Sequence, residues 1–520
     1  MPIATARSAS PSFSANGSGD RADGPRDAKR LKMESNFGTG TVKLVAQGQE
    51  QKLELEQASA EEVKPVASSS SSQLVPATAE VPAETQDTPK QDIRSEEELV
   101  EEQMSLPIEY PKSYENELDY KEKLVLAPMV RTGSLPMRLL SLYYGAGLVW
   151  SPEVVDKAII GSERVVDPKT GVITYHKGQG PIFSCHPIEK PYLIFQIGSS
   201  NPELAVKAAQ TVQQDVSGID LNCGCPKPFS THSGMGAALL STPDILLNIL
   251  RALLEHIPLP ISAKIRLLPT QPSTLHLVSR IIRTGIRNLT VHCRTRDMRP
   301  GERALWERLG DLVKLGKRRG LPVICNGDGD GWTNWEQIKT ETGADSVMIA
   351  RAAERNPSVF QPTGPSCNLT EVVPKLLALA QYTNNPWGNT KFLLNQFKPS
   401  PPPISDMSKS ERKHALEVIS KSKSVEHAAE GLKISLPADN GRAVFDMIAK
   451  KIRERQGSDG TDEPTIWEER HEAEIHGKVV DEPVHSIEED DEEAMMNGFE
   501  VGVGQAQAQK TPTQAQSATL

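Results

Sequence analysis

From residue 124 onward, short runs of apolar and β-branched residues alternate with longer stretches of helical period. The runs span residues 124–130, 148–155, 193–198, 218–223, 261–266, 288–293, 322–327 and 346–350. Their interiors are plain hydrophobes, as strands buried on both faces require. Between most of them lie stretches such as 202–214, 242–255, 273–284 and 304–319, whose apolar positions recur three and four apart. Eight such βα units over roughly 250 residues predict an α/β fold, a (β/α)₈ barrel of the TIM type. An insertion at 161–190 follows the second run. Its Pro168-Lys-Thr-Gly171 turn, flanked by Val165-Val166 and Val172-Ile173, predicts a hairpin.

Polar residues gather where these runs end. Met129, Glu153, Gln196, Asn222 with Cys225, Lys264 with Arg266, His292 with Arg294, Asn326 with Asp328, and Arg351 stand at successive carboxyl ends. In a parallel barrel those ends share one face, where barrel enzymes build their active sites. Any one of these residues alone reads best as a satisfied structural group. As a set confined to one face, they predict a pocket.

The last two runs end in Asn326-Gly327-Asp328-Gly329 and Ala350-Arg351-Ala352-Ala353, small loops that let backbone N–H groups approach a ligand. In barrels, the loops after strands 7 and 8 commonly hold a phosphate. With Lys264 and His292 nearby, a single phosphorylated ring compound is implied, and flavin mononucleotide (FMN) fits. No G-x-G-x-x-G follows a strand, so a dinucleotide site is not indicated. In Asp220-Leu-Asn-Cys-Gly-Cys-Pro226 a thiol stands just beyond strand 4. Cys225, between Gly and Pro, suits a nucleophile or a general acid, whereas the other five cysteines read as buried thiols. No C-x-x-C pair occurs, and no metal site is expected.

Charge divides the 520 residues in a way that the net value of −10 conceals. Residues 1–118 hold 12 Lys+Arg against 21 Asp+Glu, and residues 457–520 hold 3 against 16, which leaves +12 for residues 119–456. The foldable part is therefore basic and suited to a polyanion. Both ends read as disordered: the first is a Ser/Ala/Glu/Gln-rich extension with the run Ser68–Ser72 and the acidic patch 96–102, the second an acidic tail. Lys29-Arg-Leu-Lys32 has the composition of a nuclear-import signal, though linker is the commoner meaning of so short a cluster. No apolar run reaches the ~18–20 residues that span a bilayer, so a soluble protein of the cytoplasm, with the nucleus as a second location, is expected.

The order and spacing of several motifs resemble the tRNA-dihydrouridine synthases. They are Ala127-Pro-Met129 with Thr132 and Pro136-Met-Arg138, Phe195-Gln-Ile-Gly198, Asp220 to Pro226, Gly234-Met-Gly-Ala-Ala-Leu239, Lys264-Ile-Arg266, His292-Cys-Arg294, Asn326-Gly-Asp328 and Ala350-Arg351. The resemblance covers residues 122 to about 360. The stretch Tyr382–Phe397 is similar to the start of the helical tRNA-binding domain of the eukaryotic branch acting on uridine 20 of the D-loop. Two features depart from the family. Residues 457–520 lack the pattern of a double-stranded-RNA-binding domain, and His232-Ser233 stands where many relatives have Lys-Gly.

The resemblance implies four segments: an N-terminal extension (1–118), a catalytic barrel (119–365), a basic helical tRNA-binding domain (366–456) and a tail (457–520). It implies FMN-dependent reduction of a uridine to 5,6-dihydrouridine, with NADPH or NADH as donor, in a monomer whose partner is tRNA and not a membrane. Hydride would pass from flavin N5 to uracil C6 and a proton from Cys225 to C5. Pro128, Met129, Val130, Gln196, Lys264, His292, Asn326, Gly327, Asp328, Ala350 and Arg351 would hold the cofactor, and Asn222, Arg266 and Arg294 the uracil. The competing readings are a flavin barrel acting on a free pyrimidine, resembling the dihydroorotate dehydrogenases, and an RNA-binding protein without activity.

Overall fold

The computed structural model describes residues 94–455, apart from 115–116, 179 and 398–406. The Lys29–Lys32 cluster, the Ser68–Ser72 run and the 457–520 tail lie outside these residues.

The strands are β1 (Leu124–Leu126), β2 (Val149–Trp150), β3 (Val154–Val155), β4 (Glu163–Val166), β5 (Ile173–Lys177), β6 (Gly180–Cys185), β7 (Leu193–Gly198), β8 (Gly218–Cys223), β9 (Ile261–Leu267), β10 (Asn288–Thr295), β11 (Val323–Asn326) and β12 (Ser346–Ile349). The parallel sheet runs β2-β1-β12-β11-β10-β9-β8-β7-β3, and pairing of β2 with β7 closes it. All eight apolar runs are barrel staves, as their pattern predicts. The second is split: Val149 and Trp150 pair with Leu193 and Ile194, then Val154 and Val155 pair with Ile197 and Gly198. Pro152, which has no N–H to give a ladder, sits in the break. There the Ser151 hydroxyl takes the place of a backbone acceptor, receiving the Gln196 N–H at 2.9 Å.

Alternation along the strands sorts the core into two layers. Val125, Ala127, Trp150, Ile194, Ile324 and Met348 fill the barrel interior, with Tyr120 beneath them. The opposite set, including Leu126, Phe195, Leu221 and Ile265, meets helices outside. Helix Pro243–His256 shows the rule: Leu246, Leu250, Leu253 and Leu254 form one fully buried stripe.

Two elements differ from the pattern reading. The insertion is a three-stranded antiparallel sheet, β4-β5-β6, because residues 180–185 add a strand to the expected hairpin. The acidic patch is not part of an unstructured extension: Glu96–Ser105 is a helix with a Ser95/Glu98 capping box. Composition misleads here because the helical period buries only Val100 and Met104. Its acids serve the barrel instead: Arg318 makes a two-pronged bond to Glu101 at 2.7 and 2.8 Å, and Ser273 donates to Glu96 at 2.7 Å.

Helices Val373–Tyr382, Trp387–Gln396, Lys409–Lys421, Val425–Leu432 and Arg442–Glu454 follow the barrel. The stretch 382–397 is broken at Asn384, which has φ +48, and at Pro386, which precedes the second helix. Phe445 ties the helices down, stacked on Tyr382 at 4.2 Å and edge-on to His186 of the insertion at 4.7 Å. Arg455 donates to the Leu142 and Ala146 carbonyls of the barrel at 2.9 and 3.0 Å. Beneath this junction, Arg138 and Glu189 form a two-pronged ion pair at 2.8 and 2.7 Å, both out of water. Further bonds from Arg138 to the Gly133 and Ser184 carbonyls meet the demand that a buried guanidinium leave no donor exposed to apolar surroundings.

Candidate active site

The carboxyl ends of the staves converge as the pattern predicts, and a polar thread runs through the barrel toward them. Ser262 donates to Asp220 Oδ1 at 2.6 Å, and Gln196 Nε2 donates to Asp220 Oδ2 at 2.7 Å. Asn222 Nδ2 donates to Gln196 Oε1 at 3.0 Å. Burial pushes the Asp220 carboxyl up to about 6 despite these donors. At the top of the thread, Asn222 Oδ1 accepts the backbone N–H groups of Gly224 (2.9 Å) and Cys225 (3.0 Å).

Cys225 is thereby fixed at the mouth of β8, half-buried. The segment beyond it returns to bind its carbonyl through Ala237 N–H at 2.9 Å. Arg266 Nε donates to the Gly224 carbonyl at 2.7 Å, which fastens the same loop from β9. Cys223, by contrast, is wholly buried and faces away from the pocket side of the strand, its thiol directed to the Leu221 carbonyl at 3.7 Å. Cys185, Cys293 and Cys325 are buried as expected, whereas Cys367 is half-buried.

Lys264 of β9 pairs in register with Thr290 of β10, and Arg266, two residues on, pairs with His292, so Lys264 and His292 share the interior face two residues apart along neighbouring strands. Burial, then the charge of Arg266, pushes the Lys264 ammonium down to about 8. Among the described residues this ammonium has no hydrogen-bond or ion-pair partner. Burial and the neighbouring Lys264, Arg266, Arg294 and Arg351 hold the His292 ring far below its usual range, so it is neutral. Its Nε2 accepts from Arg294 Nη1 at 3.3 Å. Asp220 is the one carboxylate that acts on Lys264, without bonding it, so the ammonium's hydrogen-bonding capacity is left for a ligand.

A cavity of about 430 Å³ opens beside these residues, lined by Arg266, His292, Asn326, Gly327, Ala350 and Arg351 among others. Gly327 (φ +123) and Asp328 (φ +56) turn its floor in left-handed conformations. A side chain at Gly327 would press on Ala304 at 3.0 Å and Arg294 at 3.3 Å. The backbone N–H groups of Asp328 and Gly329 make no hydrogen bond within the described residues.

These bonds engage the side chains of two expected site residues within the protein. Arg294 is only 3% exposed and binds Asp328, His292 and, at 2.7 Å, the Glu302 carbonyl, while still lining the cavity. Asp328 does not offer its side chain to a phosphate: it accepts from Arg294, from Arg351 at 2.6 Å and from Ala304 N–H at 2.7 Å. Burial alone would raise this carboxyl, but the Arg294 and Ala304 donors and the Arg351 charge outweigh it and hold it low. It is a clamp that orients two arginines.

A family profile described as dihydrouridine synthase matches residues 125–430. The chain belongs to the dihydrouridine synthase family. It is 43% identical over 343 residues to the Schizosaccharomyces pombe tRNA-dihydrouridine(20) synthase [NAD(P)+], covering 64% of this chain and 70% of that one. To the Saccharomyces cerevisiae protein of the same name it is 41% identical over 301 residues, with 54% and 78% covered. A bacterial relative, tRNA-dihydrouridine synthase B of Vibrio vulnificus, is 32% identical over 251 residues, 46% and 70% covered. As a dihydrouridine synthase the protein is an enzyme, and the matched span takes in the barrel and the helices as far as residue 430.

Within this synthase, Lys264, Arg266, His292, Asn326, Gly327, Ala350 and Arg351 gather at one mouth of the barrel, and Cys225 and Asn222 at the adjoining strand end. Pro128 and Met129 are half-buried in the loop after β1, and Val130 is exposed at 52%. Gln196 is buried, with its amide between Asp220 and Asn222. Sequence reasoning counted Glu153 among the strand ends but gave it no chemistry, and it passed over Ser230 altogether. Ser230 donates to Glu153 Oε1 at 3.2 Å beside the Cys225 thiol. No motif marks them, because they come from separate loops. Glu153 also lines a larger cleft, of about 1020 Å³, with Val130, Arg131, Val154 and Asn389.

Proposed function

We propose that this enzyme reduces uridine 20 in the D-loop of tRNA to 5,6-dihydrouridine, with FMN on the carboxyl face of its barrel and NADPH or NADH as donor. The observation that carries the reading is the pairing, on one face, of a partnerless cation at Lys264 with a thiol at Cys225 whose backbone is locked in place. The names of the yeast relatives, which specify position 20 and NAD(P)+, support the substrate and the donor.

The residues present fit FMN. Lys264 would meet the electron-rich edge of the ring, Pro128 and Met129 would hold the ring, and the unbonded N–H groups of Asp328 and Gly329, with Arg351, would take its phosphate. FMN bound there supplies the hydride for uracil C6. Cys225 holds the proton for C5, and burial keeps the thiol protonated at neutral pH by raising its pKa. Arg266 has N–H groups beyond those given to the Gly224 and Thr295 carbonyls, and Asn222 has one amide N–H to spare; both suit the uracil oxygens. The base must leave the tRNA stack to reach them, at a cost of a few kcal/mol that is least in a loop.

The helical region suits the rest of the tRNA. Lys409, Lys413, Lys423, Lys433 and Lys450 are exposed, and of these only Lys413 has an acidic neighbour that it acts on, Glu417, among the described residues. Arg455 is basic too, but it spends its guanidinium on barrel carbonyls.

The test is direct. Purified protein should show the absorbance bands of bound flavin, and tRNA from cells lacking the protein should lose dihydrouridine at position 20 and regain it on complementation. A protein without flavin that leaves position 20 unchanged would refute the reading, and activity on free uracil in place of tRNA would favour the free-pyrimidine alternative.

A further inference from the structure

A second proton-bearing group stands behind the Cys225 thiol. The break between β2 and β3 sets Glu153 at the mouth of the second stave, and the opposing backbone makes room for it. A methyl group on Gly198 would lie 2.6 Å from Glu153 Oε1. From the other side Ser230, fully buried, donates to the same oxygen at 3.2 Å, and the Cys225 thiol lies near enough for it and the carboxyl to shift each other's pKa. Gly236 (φ +58) clears the third side: a Cβ there would collide with Ser230 Oγ and come 2.6 Å from the Cys225 carbonyl oxygen. Two glycines thus leave space for a carboxyl from the break in the second stave and for a thiol and a hydroxyl from the connection that follows β8.

The geometry points to Glu153 as the proton reservoir that recharges Cys225 after each turnover, with Ser230 holding the carboxyl in place. This inference rests on the reading of Cys225 as the acid in uridine reduction. In that step the Sγ–H bond breaks as a C5–H bond forms on the electron pair that hydride addition at C6 leaves at C5. The product side chain is a thiolate. The Glu153 O–H bond then breaks, Sγ–H re-forms, and the carboxylate takes its next proton from water in the cleft that it lines.

The surroundings suit that exchange. Burial raises the Glu153 carboxyl, so it keeps its proton to higher pH than a surface glutamate. Burial, and after it the Glu153 charge, raises the thiol. The other charged and titratable groups facing the pair are Lys264 and Arg266 from β9 and the buried Cys223 of β8. No Lys or Arg among the described residues bonds Glu153, so no cation holds it permanently ionised.

Glu153→Gln keeps the shape but has no acidic proton to pass on. In the full-length enzyme acting on unmodified tRNA, steady-state dihydrouridine formation should fall about tenfold or more, while reduction of the bound cofactor by NADPH stays as in wild type. Alkylation of Cys225 by iodoacetamide, followed by peptide mass spectrometry across pH, supplies a readout independent of turnover. In Glu153→Gln its midpoint should move to lower pH, because no carboxylate opposes the thiolate. In Ser230→Ala it should move to higher pH, because the Glu153 carboxylate loses its hydroxyl donor and bears more fully on the thiolate. A wild-type rate in Glu153→Gln overturns the relay, as does a lost rate with an unmoved midpoint, which is what a merely structural role would give. If Glu153→Gln does not fold, Ser230→Ala decides alone: a slower rate with a raised midpoint supports the relay, and an unmoved midpoint overturns it. A wild-type enzyme that forms no dihydrouridine overturns the uridine reading and the relay together, and needs no variant to recognise.

Discussion

Asn222 holds Cys225 by its backbone: the Asn222 side-chain oxygen accepts the Cys225 N–H at 3.0 Å and the Gly224 N–H at 2.9 Å. The thiol's position therefore depends on a side chain that is itself held by Gln196 and, through it, by Asp220 in the barrel interior. Asn222→Ala should leave flavin bound and reducible by NADPH but slow uridine reduction roughly 100-fold, the scale on which small misplacements of a reacting group act. Cys225→Ala should nearly abolish uridine reduction with the same cofactor behaviour, and Cys223→Ala should do much less. Single-turnover assays with pre-reduced enzyme separate the two half-reactions. Equal effects of the two cysteine variants would reject Cys225 as the acid.

Lys264 gives the cofactor site a pH dependence. Its ammonium, pushed down to about 8 by burial, is charged below that pH and neutral above it. An anionic ring edge binds the charged form, so flavin affinity should be steady near pH 7 and fall as pH rises through 8. Lys264→Met should bind more weakly at pH 7 and lose this dependence. Fluorescence titration of flavin release between pH 6 and 9.5 measures both.

Asp220 supplies a stability signature. Its folded-state value of about 6 lies above the ordinary 3.8, so between those values the native protein binds the extra proton. Stability from this group is full below the ordinary value and is lost as pH rises through about 6. The loss amounts to about 3 kcal/mol by pH 7. Asp220→Asn, which mimics the protonated acid, should therefore gain on wild type by about that much between pH 4 and pH 7. Urea unfolding at a series of pH values would show it, and parallel curves would contradict it.

The five exposed lysines of the helical region should set the salt dependence of tRNA binding. Each one that meets a phosphate should contribute roughly 0.7 to 0.9 to the slope of log affinity against log salt. Changing Lys409, Lys413, Lys423, Lys433 and Lys450 to Ala should flatten that slope and weaken binding, while the flavin spectrum stays intact. These substitutions test the surface better than deleting the helices would, since Phe445 and Arg455 bind the helical region to the barrel. Filter binding across a salt series gives the slope, and an unchanged slope would place the RNA elsewhere.

The sequence by itself determined the barrel, its order and its business end. Eight apolar runs in βα alternation leave little choice of fold, because strands buried on both faces must be hydrophobic and must be covered by amphipathic helices. The polar ends of those runs pointed to one face, since parallel strands cannot do otherwise. Patterning does not carry the pairing of side chains that are far apart in the chain. The side chains of Arg294 and Asp328, 34 residues apart, bind each other because β10 and β11 are neighbours. Glu96, Glu98 and Glu101 looked like part of a solvated extension, yet they lie on a helix whose acids meet Ser273 and Arg318 of the barrel. Glu153 and Ser230, distant in sequence, meet Cys225 only because Gly198 and Gly236 leave space where their loops cross. Composition and period fix which residues are buried. Which buried polar groups satisfy one another is a matter of distance in three dimensions, and only the tertiary structure decides it.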